Sequence, residues 1–229
     1  MAALNPIGTF RQERSDTFVR NTCESLHSVD ASITSIFEEL ERQGVLEDTY
    51  VVFSSDNGFS WGGHRLCCKG HLYEESVRVP LLARGPDVEP GEVHRLTSNI
   101  DLAPTLLEWA SVTPPDGFVD GTSFAADLRG DDGVPQPEAV LLRGCRSGRP
   151  PPGSTGEEER PGCGGHYDAM PSNWGIRTDR HKYVEYPDGY VQFFHLQQDP
   201  YELANLGQDP ATEELRAQLH GQLLELRSG

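Results

Sequence analysis

Long apolar runs, basic residues and an even set of cysteines are all missing from this chain, and each shortage removes a class of protein. No apolar stretch approaches the roughly 20 residues that cross a bilayer. The opening residues, Met1-Ala2-Ala3-Leu4-Asn5-Pro6, offer neither a basic flank nor an apolar segment, so no signal peptide is expected and localisation stays open. Lys and Arg number 19 against 36 Asp and Glu, a formal charge of −17. A field of that sign repels phosphate backbones and anionic lipid, which argues against nucleic-acid and membrane partners. It also makes any local cluster of positive charge conspicuous. The 5 cysteines, Cys23, Cys67, Cys68, Cys145 and Cys163, cannot all pair within the chain, although a Cys145–Cys163 bridge remains open.

The 229 residues leave room for one substantial core or two small ones. Residues 1–27 are polar and without a clear period. From Val29 the apolar positions Val29, Ile33, Ile36, Phe37 and Leu40 paint one face of a helix, and Gly44 is a natural stop. Thr49 to Phe53 is a β-branched and aromatic run that reads as a buried strand. A second such run spans Val79 to Ala83, with Pro80 near its start. Asn99 opens a helix through Trp109, with Pro104 in its first turn. Helix, short loop and apolar strand predict an α/β unit with a parallel or mixed sheet over residues 1–135. Residues 131–172 are rich in Pro, Gly and charge and read as loop, most flexible over about 143–172. Strands are then expected at Trp174–Thr178, Lys182–Tyr186 and Tyr190–Leu196, with Pro187-Asp188-Gly189 turning between the last two. Leu215, Leu219, Leu223 and Leu226 line one face of a final helix, so residues 136–229 form a small α+β subdomain.

The stretch from Ser54 to Ser76 carries the chemistry. Asp56 and Asn57 follow the first strand directly, where α/β sheets place ligand-binding groups. A carboxylate beside an amide oxygen suits a hard cation such as Ca²⁺ or Mg²⁺. His64, Arg65, Lys69 and His71 then form a positive island in an acidic chain, suited to a tetrahedral oxyanion. Plainer readings stand beside these. Asp-Asn-Gly is a common turn sequence. His64, Cys67, Cys68 and His71 contain zinc-ligand chemistry at a spacing poor for tetrahedral ligation. Gly58-Phe59-Ser60-Trp61-Gly62 matches a nucleophile elbow, yet leads into loop rather than helix, which weighs against a Ser60 hydrolase.

Taken in order, Ser-Asp-Asn-Gly-Phe, Gly-x-His-Arg-Leu, a Lys four residues before Tyr-Glu-Glu-Ser, Arg-Val-Pro-Leu-Leu and Arg-Gly-Pro resemble the sulfatase family of the alkaline-phosphatase-like superfamily. The resemblance continues through Ser98–Thr105, Asp120–Ser123, Ile176–Val184 and Asp199–Leu206, covering roughly residues 15–229 apart from the loop. It implies a partial alkaline-phosphatase-like mixed sheet with helices, followed by the α+β subdomain. It implies that Asp56 and Asn57 bind Ca²⁺, with Mg²⁺ as the alternative. It places Lys69 on the sulfate, His64 at the edge of the substrate pocket and Arg65 beside it. The expected ligand is a sulfated small molecule or glycan, and many members of the family are exported or lysosomal. Members often carry one more residue between that His and the Lys, with Pro where Cys67 or Cys68 stands.

Sulfatases that resemble this chain attack the sulfate ester with a formylglycine hydrate made from Cys-x-Pro-Ser-Arg. That string does not occur here, and Cys145-Arg146-Ser147-Gly148-Arg149 is a coincidental near match. No nucleophile is therefore assigned, and the chain alone is expected to be inactive. A truncated gene product, an incomplete gene model or one half of a split enzyme would each explain this, the last with a separate N-terminal half as partner. A non-catalytic module binding a sulfated ligand is the main alternative, and a superfamily phosphodiesterase or phosphonate hydrolase is a further one.

Overall fold

The computed structural model describes residues 12–144 and 173–228, with backbone alone at residues 12–16, Arg65, Cys67 and Cys68. The Cys145–Cys163 bridge and most of the expected 143–172 loop lie outside the described residues. Helix α1 (Gln12–Arg42) begins about 17 residues before Val29, where the apolar period becomes visible. Along it Ser25 and Ser32 turn their hydroxyls back onto the carbonyls of Asn21 and Ser28, which satisfies these side chains but does not itself stabilise the helix. Phe18 anchors the polar first half by packing its ring 5.2 Å from Phe59 and 5.3 Å from Trp61. Leu26, Val29 and Ile36, by contrast, remain exposed on the seam of the helix.

Strand β1 (Val51–Phe53) pairs antiparallel with β4 (Leu82–Arg84). The second run therefore enters the ladder after Pro80, which has no N–H to donate. Between these strands lie the short pair β2 (Ser60–Trp61) and β3 (Cys67–Cys68) and the one-turn helix α2 (Glu74–Val77). Helix α3 (Leu102–Trp109) begins behind a capping box in which Asp101 accepts from Ser98 N at 2.8 Å. The same carboxylate accepts from Thr122 N at 2.8 Å, and Thr105 Oγ1 accepts from Phe124 N just before α4 (Ala125–Leu128). A Cβ at Gly121 would stand 2.3 Å from Ile100 O, so only glycine lets these two segments meet.

The C-terminal sheet runs in the order β5 (Ala139–Gly144), β6 (Asn173–Thr178), β7 (His181–Glu185) and β8 (Val191–His195), antiparallel throughout. Strand β5 falls in the stretch expected to be loop. Its Ala-Val-Leu-Leu run was readable, but Pro135, Pro137 and Gly144 around it masked a strand held by pairing with β6. Ile176, Tyr183 and Phe193 lie side by side across the sheet and bury against Leu219 and Leu223 of α5 (Glu213–Ser228). Leu226, expected on that face, is exposed where the helix runs past the core. The opposite face of the sheet carries Gly175, Arg177, Lys182 and Gln192, and it meets the loop of residues 70–77. Leu72 comes so close that a Cβ on Gly175 would touch it at 3.1 Å. Among the described residues no helix is long and apolar enough to cross a membrane.

Candidate functional site

The turn after β1 serves two purposes with different atoms. Asp56 Oδ1 accepts from Asn57 N at 2.9 Å, closing a local turn. Asp56 Oδ2 remains and lies 3.5 Å from Lys69 Nζ. Asn57 Nδ2 donates to Gly58 O at 2.9 Å, which leaves Oδ1 to accept from Lys69 Nζ at 2.8 Å. The turn reading and the ligand reading of Asp-Asn-Gly are thus compatible. Partial desolvation pushes the Asp56 carboxyl upward, but the Lys69 ammonium and the Asn57 N–H outweigh it and hold it below its ordinary value. Two hard oxygens from adjacent residues converge on one cationic group, which is the donor chemistry a calcium or magnesium ion takes. Asp56 and Asn57 therefore fit such an ion as two of its ligands.

The loop leading to Lys69 is shaped by glycine. Gly62 stands at φ 106° and His64 at φ 52°, both left-handed, so the chain reverses sharply into a single turn over Gly63–Arg65. A Cβ on Gly58 would stand 2.2 Å from Glu75 O, and one on Gly63 would stand 2.4 Å from Glu75 Oε1. These glycines allow α2 to press against the loop. They do not build an elbow: Ser60 is a fully buried strand residue, followed by the turn rather than by a helix.

His64 stacks on Tyr73 with ring centroids 3.7 Å apart and 11° between planes, and Glu75 Oε2 is 3.9 Å from its Nε2. Tyr73 Oη accepts from Gln192 Nε2 of β8 at 2.7 Å, and burial pushes the phenol up to about 12. His71 does not join the positive island. Burial, with smaller contributions from His64 and Lys182, pushes its imidazole down to about 4, so it is neutral at physiological pH. The Arg65 side chain lies outside the described residues, as do the thiols of Cys67 and Cys68. The structure thus joins Asp56, Asn57 and Lys69 directly and holds His64 on the Tyr73 ring, on the same loop as Lys69.

Sequence reasoning missed the residues beneath the loop. Lys182 is completely buried with its Nζ 2.7 Å from Glu74 Oε1 and 2.8 Å from Glu202 Oε1. The one available signal was a lysine inside the apolar strand run Lys182-Tyr183-Val184.

The family model described as sulfatase matches residues 5–112, and bovine N-acetylglucosamine-6-sulfatase is 31% identical across 93% of this chain. The chain belongs to the sulfatase family. It spans about 40% of the length of that bovine relative. A sulfatase-type, alkaline-phosphatase-like fold is equally plain in solved structures. One, determined in complex with its substrate D-glucosamine-2-N,6-O-disulfate, superposes with a TM-score of 0.74 at 24% identity over 89% of this chain and 39% of that one. The phosphonate monoester hydrolase of Agrobacterium radiobacter superposes with a TM-score of 0.70 at 30% identity over 87% of this chain and 39% of that one.

Proposed function

We propose that these residues supply one side of a sulfate-ester hydrolase site, acting on a sulfated small molecule or glycan. The observation that carries this is the meeting of the Lys69 ammonium with Asp56 and Asn57, 13 and 12 residues away in sequence, in a family member of net charge −17. Asp56 and Asn57 would hold Ca²⁺, with Mg²⁺ as the alternative. The ion, when bound, supplies positive charge that offsets the anionic oxygens of the sulfate. Lys69 donates to a sulfate oxygen and stabilises charge as it builds toward the leaving oxygen. His64, held on Tyr73, borders the pocket, with Arg65 beside it. No residue here is assigned as nucleophile, so residues 1–229 on their own bind but do not turn over.

The test pairs the purified 229-residue chain with an aryl sulfate, with and without calcium and a segment bearing the nucleophile motif. Turnover is expected only when that segment is present, and Asp56→Ala should abolish it. Turnover by the chain alone that depends on Ser60 would overturn the proposal in favour of a serine hydrolase.

The 30% identity to a phosphonate monoester hydrolase favours one second reading, a phosphonate or phosphodiester substrate at the same residues. Parallel assay of an aryl sulfate and an aryl phosphonate monoester separates the two.

A further inference from the structure

Beneath the candidate site lies a buried ionic cluster that anion binding does not require. Lys182 of β7 meets Glu74 at 2.7 Å and Glu202 at 2.8 Å, and Arg177 of β6 approaches Glu74 Oε2 at 3.5 Å. Glu202 stands at φ 54°, a left-handed conformation uncommon for a glutamate. Its Oε2 accepts the Glu74 N–H at 2.6 Å. Around it, Asp199 accepts from Leu203 N at 3.0 Å and Ala204 N at 2.8 Å, and Asn205 Oδ1 accepts from Phe193 N at 2.9 Å. The segment from Asp199 to Asn205 is therefore clamped to β8 in the shape that presents Glu202.

Two cations and two carboxylates make the cluster neutral, but burying four charges is costly, and apolar packing of similar volume is often as stable or more so. What apolar packing lacks is a fixed register. The other three groups converge on Glu74, which follows Tyr73 and lies five residues from Lys69. Gly70 N donates to Ser76 Oγ at 3.2 Å, tying the start of this short loop to its end. Tyr73, pinned by Gln192, carries His64 on its ring.

We propose that Glu74, Lys182 and Glu202 are positioning residues, a latch by which the C-terminal sheet fixes the loop of residues 69–77 and thereby aims Lys69 and His64. None of the three touches the anion. That the aimed groups bind an anion rests on the function proposed above; the latch itself is a property of the loop and is read separately.

The test uses the 229-residue chain and two measurements: amide hydrogen exchange over residues 69–77, and titration with inorganic sulfate followed at the His64 ring by NMR. The double substitution Lys182→Met with Glu202→Gln removes one charge of each sign and leaves Glu74 paired with Arg177, so net neutrality survives. Exchange over residues 69–77 should then accelerate by about a hundredfold, the scale of losing a partner from a buried ion pair. Exchange in β6, β7 and α5 should stay near wild type, and sulfate affinity should fall. If the double variant does not fold, Glu202→Gln, which keeps an acceptor for the Glu74 N–H, is read in the same way with a smaller loop effect. Unchanged exchange over residues 69–77 in a folded variant would overturn the latch, as would acceleration spread evenly across β6, β7 and α5. Should the wild-type chain show no sulfate-dependent shift at His64, the proposed function fails, and the exchange data still decide the latch.

Discussion

Replacing Lys69 by alanine separates structural from chemical worth at the candidate site. The ammonium lies 2.8 Å from Asn57 Oδ1 and 3.5 Å from Asp56 Oδ2, with about half of the side chain in water at 52% exposure. An exposed pair of this kind contributes about 0–1 kcal/mol to stability, so thermal unfolding followed by circular dichroism should barely move. Chemistry weighs the same group differently. A cationic donor aligned on a developing oxyanion in a water-poor site is worth about 2.7–4 kcal/mol, or about a hundred- to thousandfold in rate. In an enzyme completed by a nucleophile-bearing segment, Lys69→Ala should therefore lower kcat/KM toward an aryl sulfate by about that factor while the melting curve is kept. Arg65→Ala should cost less. A near wild-type rate for Lys69→Ala together with a crippled Arg65→Ala would refute the assignment and shift the alignment across Cys67-Cys68 by at least one residue.

Further outcomes follow from the surrounding structure. Asp101→Ala removes two 2.8 Å bonds to Ser98 N and Thr122 N from a buried carboxylate, and about 2–3 kcal/mol of stability should go with them in urea denaturation. His71 has a folded-state value of about 4 against an ordinary 6.5, so burial of its neutral form favours folding above 6.5. That contribution is lost as pH falls from 6.5 toward about 4. Denaturation at pH 7 and pH 4.5 should show a steeper acid loss in wild type than in His71→Leu. Ile176→Ala, at a fully buried position against α5, should cost about 2–5 kcal/mol, and an effect under 1 kcal/mol would mean that Ile176 does not pack against Leu219 and Leu223.

Much of the fold was legible because the signals were local. The capped helix at Asn99–Trp109, the hairpin around Pro187-Asp188-Gly189 and the final amphipathic helix each carry their cause within a few residues. The first half of α1 and strand β5 were not, since one depends on Phe18 meeting Phe59 and Trp61 and the other on pairing with β6. At the site, the adjacency of Asp56 and Asn57 was visible in the chain. That both oxygens face Lys69 required the turn, because the Asn57 and Gly58 backbone consumes the alternative atoms. The cluster under the loop was hidden for a plainer reason. Glu74, Lys182 and Glu202 lie up to 128 residues apart, and no periodicity links a lysine in a strand to two distant glutamates.

The central claim is that Asp56 and Asn57 are cation ligands rather than turn residues alone. Calorimetric titration of the 229-residue chain with calcium tests it most directly, comparing wild type with Asp56→Ala. Weak saturable binding is expected in wild type, with a melting curve little changed by the substitution and loss of the calcium signal in the variant. An identical calcium isotherm in the two proteins would contradict the claim.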